Sequence, residues 1–482
     1  TIALVGGGYV VVWQSPNKDG SGLSVAAQIF TGAGVPLGTE ILVNTNFLNN
    51  QSKPSVAATA DGGFVVAWED NSGSDGSGSG IFAQRYSSAG DKVGGEFLIN
   101  TVTSGEQVEV SLTGLTGGGF VAVYASNGID GANYGIAAQR YDASGSPLGV
   151  ETVVNTTVTG SQRDPQVEAL PGGGYIVTWT DQNGADGSLY GVYAQRFDGT
   201  GNAVGGQILI NETTASYQTD AAVSVFDDGS FVVTWSSYNQ DASNTYGVFG
   251  RLFNADGTPK GGEFQVNTSA AGDQELPDVL ALPDGSFVIA WFDDGDNHFK
   301  KREFDASGAP IEDEQTVSSA TLPVNAVDQW RPSLVDLGNG NYSVIYPSYN
   351  GDFNIAQQMY ADPTEIARQA NPDLEAVNPS VTYDEDVLNA SPQLVDANGS
   401  VALSDPDSAD FAGGFLQVGY LLDSLLEVQQ YEDPDNLSQH QLSIRNQGAG
   451  AGQIGLSGTS VTYGGVEIGI LESDGTAGNE LR

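Results

Sequence analysis

The 482-residue sequence contains no cysteine, one methionine and two histidines. The absence of cysteine excludes disulfides and thiolate chemistry. The two histidines, His298 and His440, lie far apart and neither stands beside an obvious nucleophile. No apolar run reaches about 18 residues, so no transmembrane helix is predicted. No signal peptide is recognisable, and Thr1 opens in the middle of a repeated phrase, so we expect a fragment of a longer protein.

Basic residues are also scarce, with 16 Lys and Arg against 60 Asp and Glu, a formal net charge of −44. Such a surface repels nucleic acid and anionic membranes, so neither nucleic-acid binding nor membrane insertion is expected. The same surface attracts cations. Solubility in a salty extracellular medium is an equally simple interpretation of the acidity.

What the sequence does contain is one phrase repeated seven times: turn residues, a short apolar run and a final aromatic. These final aromatics, called anchors here, are separated by 55 or 56 residues. The anchors are Trp13, Trp68, Tyr124, Trp179, Trp235, Trp291 and Tyr346. A fixed period of this size predicts a propeller or a solenoid. Because every repeat has an anchor, we expect the anchors to pack between repeats rather than to stack on sugars.

Each repeat divides into four short strands separated by Gly-rich turns, as in Phe64 to Trp68, whose alternate side chains are apolar on both faces. Four antiparallel strands of this length form one propeller blade. The sequence therefore predicts an all-β protein, with a seven-bladed β-propeller at 1–362, a linker at 363–378 and a β-sandwich at 379–482. The last blade lacks a fourth strand after Tyr360.

The loops between second and third strands share one face with the blade-to-blade connections, and function on repeat scaffolds concentrates in such loops. Tyrosines on this face are candidate contacts for a glycan or a protein, with ordinary loop packing as the alternative. These are Tyr134, Tyr190, Tyr238, Tyr246 and Tyr349.

The same loops each carry an aspartate five to seven residues after the anchor. Oxygen ligands in Gly-rich loops suit Ca2+, although a turn stabilised by the aspartate itself is the competing interpretation. The candidate metal ligands are Asp19, Asp75, Asp130, Asp186 and Asp241.

The C-terminal part resembles the cadherin-like sandwich repeats of large secreted bacterial RTX-type adhesins. The resemblance rests on residues 401–414 (VALSDPDSADFAGG), 441–455 (QLSIRNQGAGAGQIG) and 461–469 (VTYGGVEIG). The blade phrase at 191–198 (GVYAQRFD) is similar to repeats of the same group. The resemblance implies calcium at Glu385, Asp405, Asp407 and Asp410, and a secreted, extracellular or cell-surface location. The nonapeptide repeats and secretion signal of that group are absent from the sequence.

These observations predict a non-enzymatic, calcium-stabilised adhesion module that binds an extracellular glycan or surface protein. The alternative is a structural subunit of a filament, sheath or surface lattice, assembled from copies of itself by strand addition. A polysaccharide-acting enzyme is the third hypothesis, because the many aspartates include pairs that could serve a glycosidase. No Gly-x-Ser-x-Gly elbow or phosphate-binding loop occurs.

Overall fold

The computed structural model describes residues 1–360 except 243, 318–330, 339 and 350–352, and beyond these only the backbone of short strands. The chain divides into two compact units, Thr1–Tyr360 and Ala361–Arg482. Within the described residues, no helix is long and apolar enough to cross a membrane.

The first unit is an all-β, seven-bladed propeller whose blades are antiparallel sheets with the strands in chain order. Blades 1 to 4 hold the strands β1 to β16: Ile2–Ala3, Tyr9–Pro16, Leu23–Phe30, Pro36–Leu42, Gln51–Ala58, Phe64–Asp70, Gly80–Tyr86, Lys92–Leu98, Gln107–Gly114, Phe120–Asn127, Tyr134–Tyr141, Pro147–Val153, Gln162–Ala169, Tyr175–Asp181, Gly191–Phe197 and Ala203–Leu209. Blades 5 to 7 hold β17 to β27: Gln218–Val225, Phe231–Tyr238, Tyr246–Phe253, Phe264–Gln265, Gln274–Ala281, Phe287–Asp293, His298–Phe304, Gln315–Thr316, Ser333–Gly338, Asn341–Tyr349 and Phe353–Tyr360.

The seven innermost strands surround the propeller axis, and the ring closes where β1 lies between β25 and β5. The hydroxyl oxygens of Thr1 and Ser333 lie 2.7 Å apart across this closure. The Gln357 amide donates to the Gly34 carbonyl oxygen at 3.2 Å, also between the first and last blades. Blade 7 has three strands in the described residues.

The second strand of each blade carries the core. Every residue of Phe64–Asp70 is buried, which confirms the prediction of a strand covered on both faces. The anchor Trp68 is fully buried and packs with Val10 and Val25 of the preceding blade. Trp179 packs in the same way with Val121 of blade 3. The anchors therefore serve blade-to-blade packing, as expected from their recurrence.

The glycine that precedes each of these strands allows a close approach of two backbone segments. A Cβ atom at Gly63 would lie 2.2 Å from the carbonyl oxygen of Tyr86, and one at Gly119 would lie 2.0 Å from that of Tyr141. Both distances are too short for any side chain, so the Gly-rich phrase is required where the second strand begins beside the third.

In the second unit the described backbone forms short antiparallel strands, β28 to β36: Gln393–Leu394, Val401–Leu403, Leu416–Leu421, Leu425–Gln430, Leu442–Ile444, Ile454–Ser457, Ser460–Tyr463, Val466–Ser473 and Asn479–Leu481. Most pairings join consecutive strands, for example β30 with β31 and β34 with β35, whereas β29 pairs with β32. The cadherin-like sandwich and the boundaries 363–378 and 379–482 remain predictions.

Candidate functional site

A ring of exceptional backbone positions lies at one end of the propeller axis. In blades 2 to 6 the innermost strand shifts register against its neighbour just after the strand begins. At each shift one non-glycine residue has a left-handed backbone: Lys53 (φ 47°), Glu109 (61°), Asp164 (54°), Asp220 (56°) and Leu276 (57°). Residues other than glycine are strained in this region, and such strain concentrates at functional sites.

These five residues, together with Arg331 at the equivalent position of blade 7, are called the axial ring here. Their residue numbers differ by 55 or 56, yet the side chains vary from basic to acidic to apolar. Because the innermost strands of successive blades contact one another around the axis, their bulges converge at one opening. The ring therefore brings together residues that are distant in sequence.

Side chains from neighbouring blades hold the bulges in place. The Glu109 backbone N–H donates to Glu69 Oε1 at 2.5 Å, and the Asp164 N–H donates to Glu109 Oε2 at 3.0 Å. The Leu276 N–H donates to Ser236 Oγ at 3.1 Å. These three strained backbones are thus fixed by hydrogen bonds to side chains outside their own strands, which keeps this part of the ring preorganised.

Three ion pairs organise the charges of the ring. Arg163 forms a two-point contact with Glu109, in which its Nε lies 2.9 Å from Oε2. Arg331 lies 3.5 Å from Asp220, and Lys53 lies 3.3 Å from Glu69. Asp164 has no such ion pair among the described residues, and the charges of Glu109 and Asp220 both act on its carboxyl group.

The surroundings push the pKa values of adjacent carboxyl groups in opposite directions. Burial, followed by the charges of Glu109 and Asp220, raises the pKa of Asp164 to about 7. Burial acts on Glu109 in the same sense, but the hydrogen bond and charge of Arg163 outweigh it, so the pKa of Glu109 is lowered. The ring therefore pairs a carboxyl group that is partly protonated near neutral pH with a carboxylate that is held ionised.

Further along the axis lies a second pair of acids. Burial and the charge of Asp278 raise the pKa of Glu168 to about 7. Asp278 accepts a hydrogen bond from the Leu334 N–H at 2.7 Å, and burial raises its pKa as well. Glu168 is on the same strand as Asp164, four residues deeper, which makes it a natural reference for that residue.

Three of the predicted ligand-binding tyrosines come together on the face where the ring opens. Tyr217 stacks edge-on against Tyr190, with ring centroids 4.9 Å apart, and lies 6.1 Å from Tyr238. Tyr238 and Tyr246 are 4.9 Å apart. We call Tyr190, Tyr217, Tyr238 and Tyr246 the tyrosine ridge. All four side chains are partly exposed.

The other two predicted tyrosines are placed differently. Tyr134 lies beneath the Arg163 guanidinium, 4.2 Å from carbon to ring centroid, and donates a hydrogen bond to Glu106 at 2.7 Å. It therefore supports the axial ring from the side. Tyr349 ends strand β26, and its side chain lies outside the described residues.

The candidate calcium aspartates of the loops occupy one repeated arrangement, called the amide clamp here. In blade 3 the side-chain nitrogen of Asn155 donates to Asp130 Oδ2 at 2.9 Å, to Gln162 Oε1 at 3.0 Å and to the Thr157 carbonyl oxygen at 2.8 Å. The Asn155 Oδ1 accepts from the Ile136 N–H at 2.7 Å. The equivalent Asn–Asp contacts are Asn44–Asp19, Asn100–Asp75, Asn211–Asp186 and Asn267–Asp241.

Each of these aspartates also accepts a backbone N–H within its own turn, as Asp130 does from Ala132 at 3.0 Å. Across the described residues, no group of three or more His, Cys, Asp or Glu is placed to hold a metal ion. Calcium at these loops stays a prediction. The candidate ligands Glu385, Asp405, Asp407 and Asp410 lie outside the described residues.

Sequence analysis did not identify the axial ring or Tyr217. A signal was available, because aligning the repeats by their anchors places the ring members in one column. That column changes between Lys, Glu, Asp, Leu and Arg, and Pro54, Pro165, Pro277 and Pro332 follow four of its members. Variation at one column of a regular repeat marks a position that the architecture does not dictate.

No protein-family model matches the sequence, and no curated protein matches it. Several solved structures are similar to this chain. A protein of unknown function from Dyadobacter fermentans is 13% identical, with a TM-score of 0.45, over 64% of this chain and 94% of that one. An α-L-arabinofuranosidase from Fusarium graminearum is 10% identical, with a TM-score of 0.43, over 64% and 92%. An α-L-arabinanase from Penicillium chrysogenum is 13% identical, with a TM-score of 0.42, over 64% and 93%.

The comparison corrects the functional prediction. A non-enzymatic adhesion module was expected, but two of these three similar structures are glycoside-cleaving enzymes, so that prediction is wrong. Nor does any of the three support the resemblance to RTX-type adhesins. At such low identities the likeness concerns the fold and assigns no activity to this chain, whose function has to be argued from its own side chains.

Proposed function

We propose that the propeller is a carbohydrate-acting enzyme that hydrolyses glycosidic bonds at the axial ring. The observation that carries the proposal is the cluster of carboxyl groups on adjacent bulges, in which burial and the charges of Glu109 and Asp220 raise the pKa of Asp164 to about 7, while Glu109 and Asp220 themselves form ion pairs with Arg163 and Arg331. Glycoside hydrolysis requires one protonated carboxyl group and one carboxylate in the same site. A carboxyl group with a pKa near the working pH is an effective proton donor.

In this proposal Asp164 is the general acid and gives its proton to the glycosidic oxygen as the bond to the anomeric carbon breaks. Asp220 is the matching carboxylate, which takes a proton from the water that attacks that carbon. It accepts a hydrogen bond from the Thr219 hydroxyl at 2.8 Å and retains a partly exposed side chain. The proton from Asp164 leaves with the alcohol. The proton that Asp220 takes from the water replaces it, so the total charge of the two carboxyl groups does not change.

Glu109 is a positioning residue in this scheme. One of its oxygens receives the Asp164 backbone N–H and the Arg163 Nε, and the other pairs with the Arg163 terminal nitrogen. Its oxygens are therefore occupied, and its negative charge contributes to keeping Asp164 protonated.

The charge of the site indicates the kind of carbohydrate. Around the ring, Glu69, Glu109 and Asp220 are each paired with one base, Lys53, Arg163 and Arg331, so the ring itself offers no excess positive charge to an anionic sugar. The whole chain carries a formal charge of −44. Because this field repels anions, we infer an uncharged glycan rather than a polyuronate.

The test is release of reducing ends from arabinan, xylan, galactan and mixed-linkage glucan by the wild-type chain and by Asp164→Asn. The matched control is Glu168→Gln, which alters an acid on the same strand with a similarly raised pKa. We expect Asp164→Asn to lose at least 100-fold in kcat and Glu168→Gln to stay within threefold. Equal activity of the wild type and Asp164→Asn, or no release from any of the four polymers, contradicts the proposal.

Calcium binding, an extracellular location and the cadherin-like sandwich at 379–482 are carried forward from the sequence as secondary proposals. Thermal unfolding of the full chain with Ca2+, with Mg2+ and with a chelator tests the first. Stabilisation by Ca2+ alone supports it, since a ligand bound only to the folded state raises the melting temperature. Identical melting in all three conditions contradicts it.

A further inference from the structure

The rings of the tyrosine ridge pack edge-to-face or tilted against one another, which fixes their orientation, and each ring remains partly exposed. Four partly exposed aromatic rings follow one another from blade 4 to blade 5, with centroid steps of 4.9, 6.1 and 4.9 Å. Exposed aromatic side chains of a soluble protein are ordinarily scattered singly. A continuous row of partly exposed rings on one face is therefore a candidate surface for a ligand.

The ridge leads directly to the axial ring. Tyr217 precedes strand β17 by one residue and stands only three residues before Asp220 on that strand. At the other end of the row, burial and then the charges of Asp220, Glu275 and Asp273 raise the pKa of Tyr246 to about 12. Two members of the ridge, Tyr217 and Tyr246, thus lie close to Asp220, a carboxylate of the proposed active site.

The polar edges of the ridge remain available to a ligand. Among the described residues, none of the four phenolic hydroxyls forms a hydrogen bond to protein, whereas the Tyr134 hydroxyl on the same face donates to Glu106. Backbone contacts fix the ridge instead. The Tyr190 N–H donates to the Ser216 carbonyl oxygen at 3.3 Å, and the Tyr238 N–H donates to the Tyr217 carbonyl oxygen at 2.9 Å. Rigid aromatic rings with free hydroxyls suit a ligand that has apolar faces and a hydroxylated rim.

We propose that the tyrosine ridge binds a run of consecutive sugar rings of an uncharged polysaccharide whose next glycosidic bond lies at Asp164 and Asp220. The proposal rests on the proposed function and extends it from a single bond to an extended substrate. Because neighbouring rings are turned edge-to-face or tilted, the row offers ring edges, partly exposed faces and hydroxyls along an extended path rather than one stacking platform. A protein partner is the alternative occupant, and the experiment separates the two.

The variants are Tyr217→Ala, which removes a ring that contacts Tyr190 and Tyr238, and Tyr217→Phe, which keeps the ring but removes its hydroxyl. The control is Phe47→Ala, because Phe47 is an exposed aromatic (47%) on the corresponding connection after blade 1. Hydrolysis of arabinan- and xylan-derived oligosaccharides of two to six units is measured for each variant. Retardation of the Asp164→Asn background in gels that contain the soluble polymer provides a readout of binding alone.

We expect Tyr217→Ala to lower kcat/KM at least tenfold for the six-unit substrate, mainly through KM, and less than twofold for the two-unit substrate. Tyr217→Phe should retain most of the long-chain preference, and Phe47→Ala should match the wild type. Tyr217→Ala should also abolish the retardation by polymer.

Two results overturn the proposal in distinguishable ways. A wild type that cleaves the oligosaccharides, with Tyr217→Ala equally active at every chain length, removes the ridge from the substrate path and leaves the proposed function intact. Such a result would favour a protein occupant. A wild type that cleaves neither series overturns the proposed function and this assignment of the ridge with it.

Discussion

The amide clamps and the axial ring occupy equivalent places in successive blades, but they differ in how closely they repeat. The clamp keeps the same Asn, Asp and Gln in five blades, with the Asn–Gln contacts between 3.0 and 3.4 Å. The axial ring keeps only its backbone geometry, whereas its side chains change from blade to blade. Repetition of side chains thus marks architecture in this protein, and repetition of backbone with variable side chains marks the candidate site.

Removal of an amide clamp should have the largest effect on the protein. Asn155→Ala leaves the Ile136 N–H and the Gln162 and Asp130 oxygens of a buried site without their partner. We expect a loss of about 3 kcal/mol in the free energy of unfolding, since unsatisfied buried polar groups are costly. Urea unfolding measures it, with Asn254→Ala on an exposed turn as the control. A loss no larger than that of the control would mean that the clamp is dispensable.

The pH dependence of activity tests the role of Asp164 in the axial ring. Asp164 acts in its protonated form, so activity should fall as the pH rises through its pKa of about 7. Glu109→Gln removes a negative charge that raises this pKa and leaves Arg163 nearby, and both changes lower the pKa of Asp164. We expect the alkaline limb of the kcat profile to move down by about one pH unit.

The control for this shift is Glu106→Gln, an exposed carboxylate on the same face that binds Tyr134. It should leave the profile where it is. An alkaline limb that stays in place or moves upward in Glu109→Gln would show that Asp164 is not the titrating acid.

The smallest expected effect concerns stability along the axis. The pKa of Glu168 in the folded protein, about 7, lies above its unfolded value, so the folded state binds the proton more tightly. The stabilising contribution is complete below the unfolded pKa of about 4.3 and is lost as the pH rises through about 7. Glu168→Gln should therefore stabilise the protein by about 1 kcal/mol at pH 8.5 relative to wild type, with the gain shrinking at pH 5.

Urea unfolding at the two pH values checks the sign. Asp198→Asn is the reference, and it should lower the free energy of unfolding instead of raising it. Hydrogen bonds from Thr200 and Asn202 lower the pKa of the Asp198 carboxyl to about 2. A gain for Glu168→Gln that is equal at both pH values would contradict a raised pKa at this position.

The amino-acid sequence by itself determined the propeller. The 55- or 56-residue spacing of the anchors, the doubly apolar second strands and the Gly-rich turns are local patterns, and local patterns specify strands, turns and their repetition. The prediction of seven blades, of buried anchors such as Trp179 and of a short last blade followed from these patterns alone. Loop positions such as Tyr190 and Tyr246 could be placed on one face by the same reasoning.

Only the tertiary structure decided which side chains meet. Glu109, Asp164 and Asp220 are separated by 55 or 56 residues, and nothing in the local sequence states that their bulges point to a common axis. The hydrogen bonds that the loop aspartates accept from an asparagine about 25 residues away likewise appear only in the folded structure. Ring closure brings distant residues into contact, and the resulting burial and charge set the pKa values on which the proposed chemistry depends.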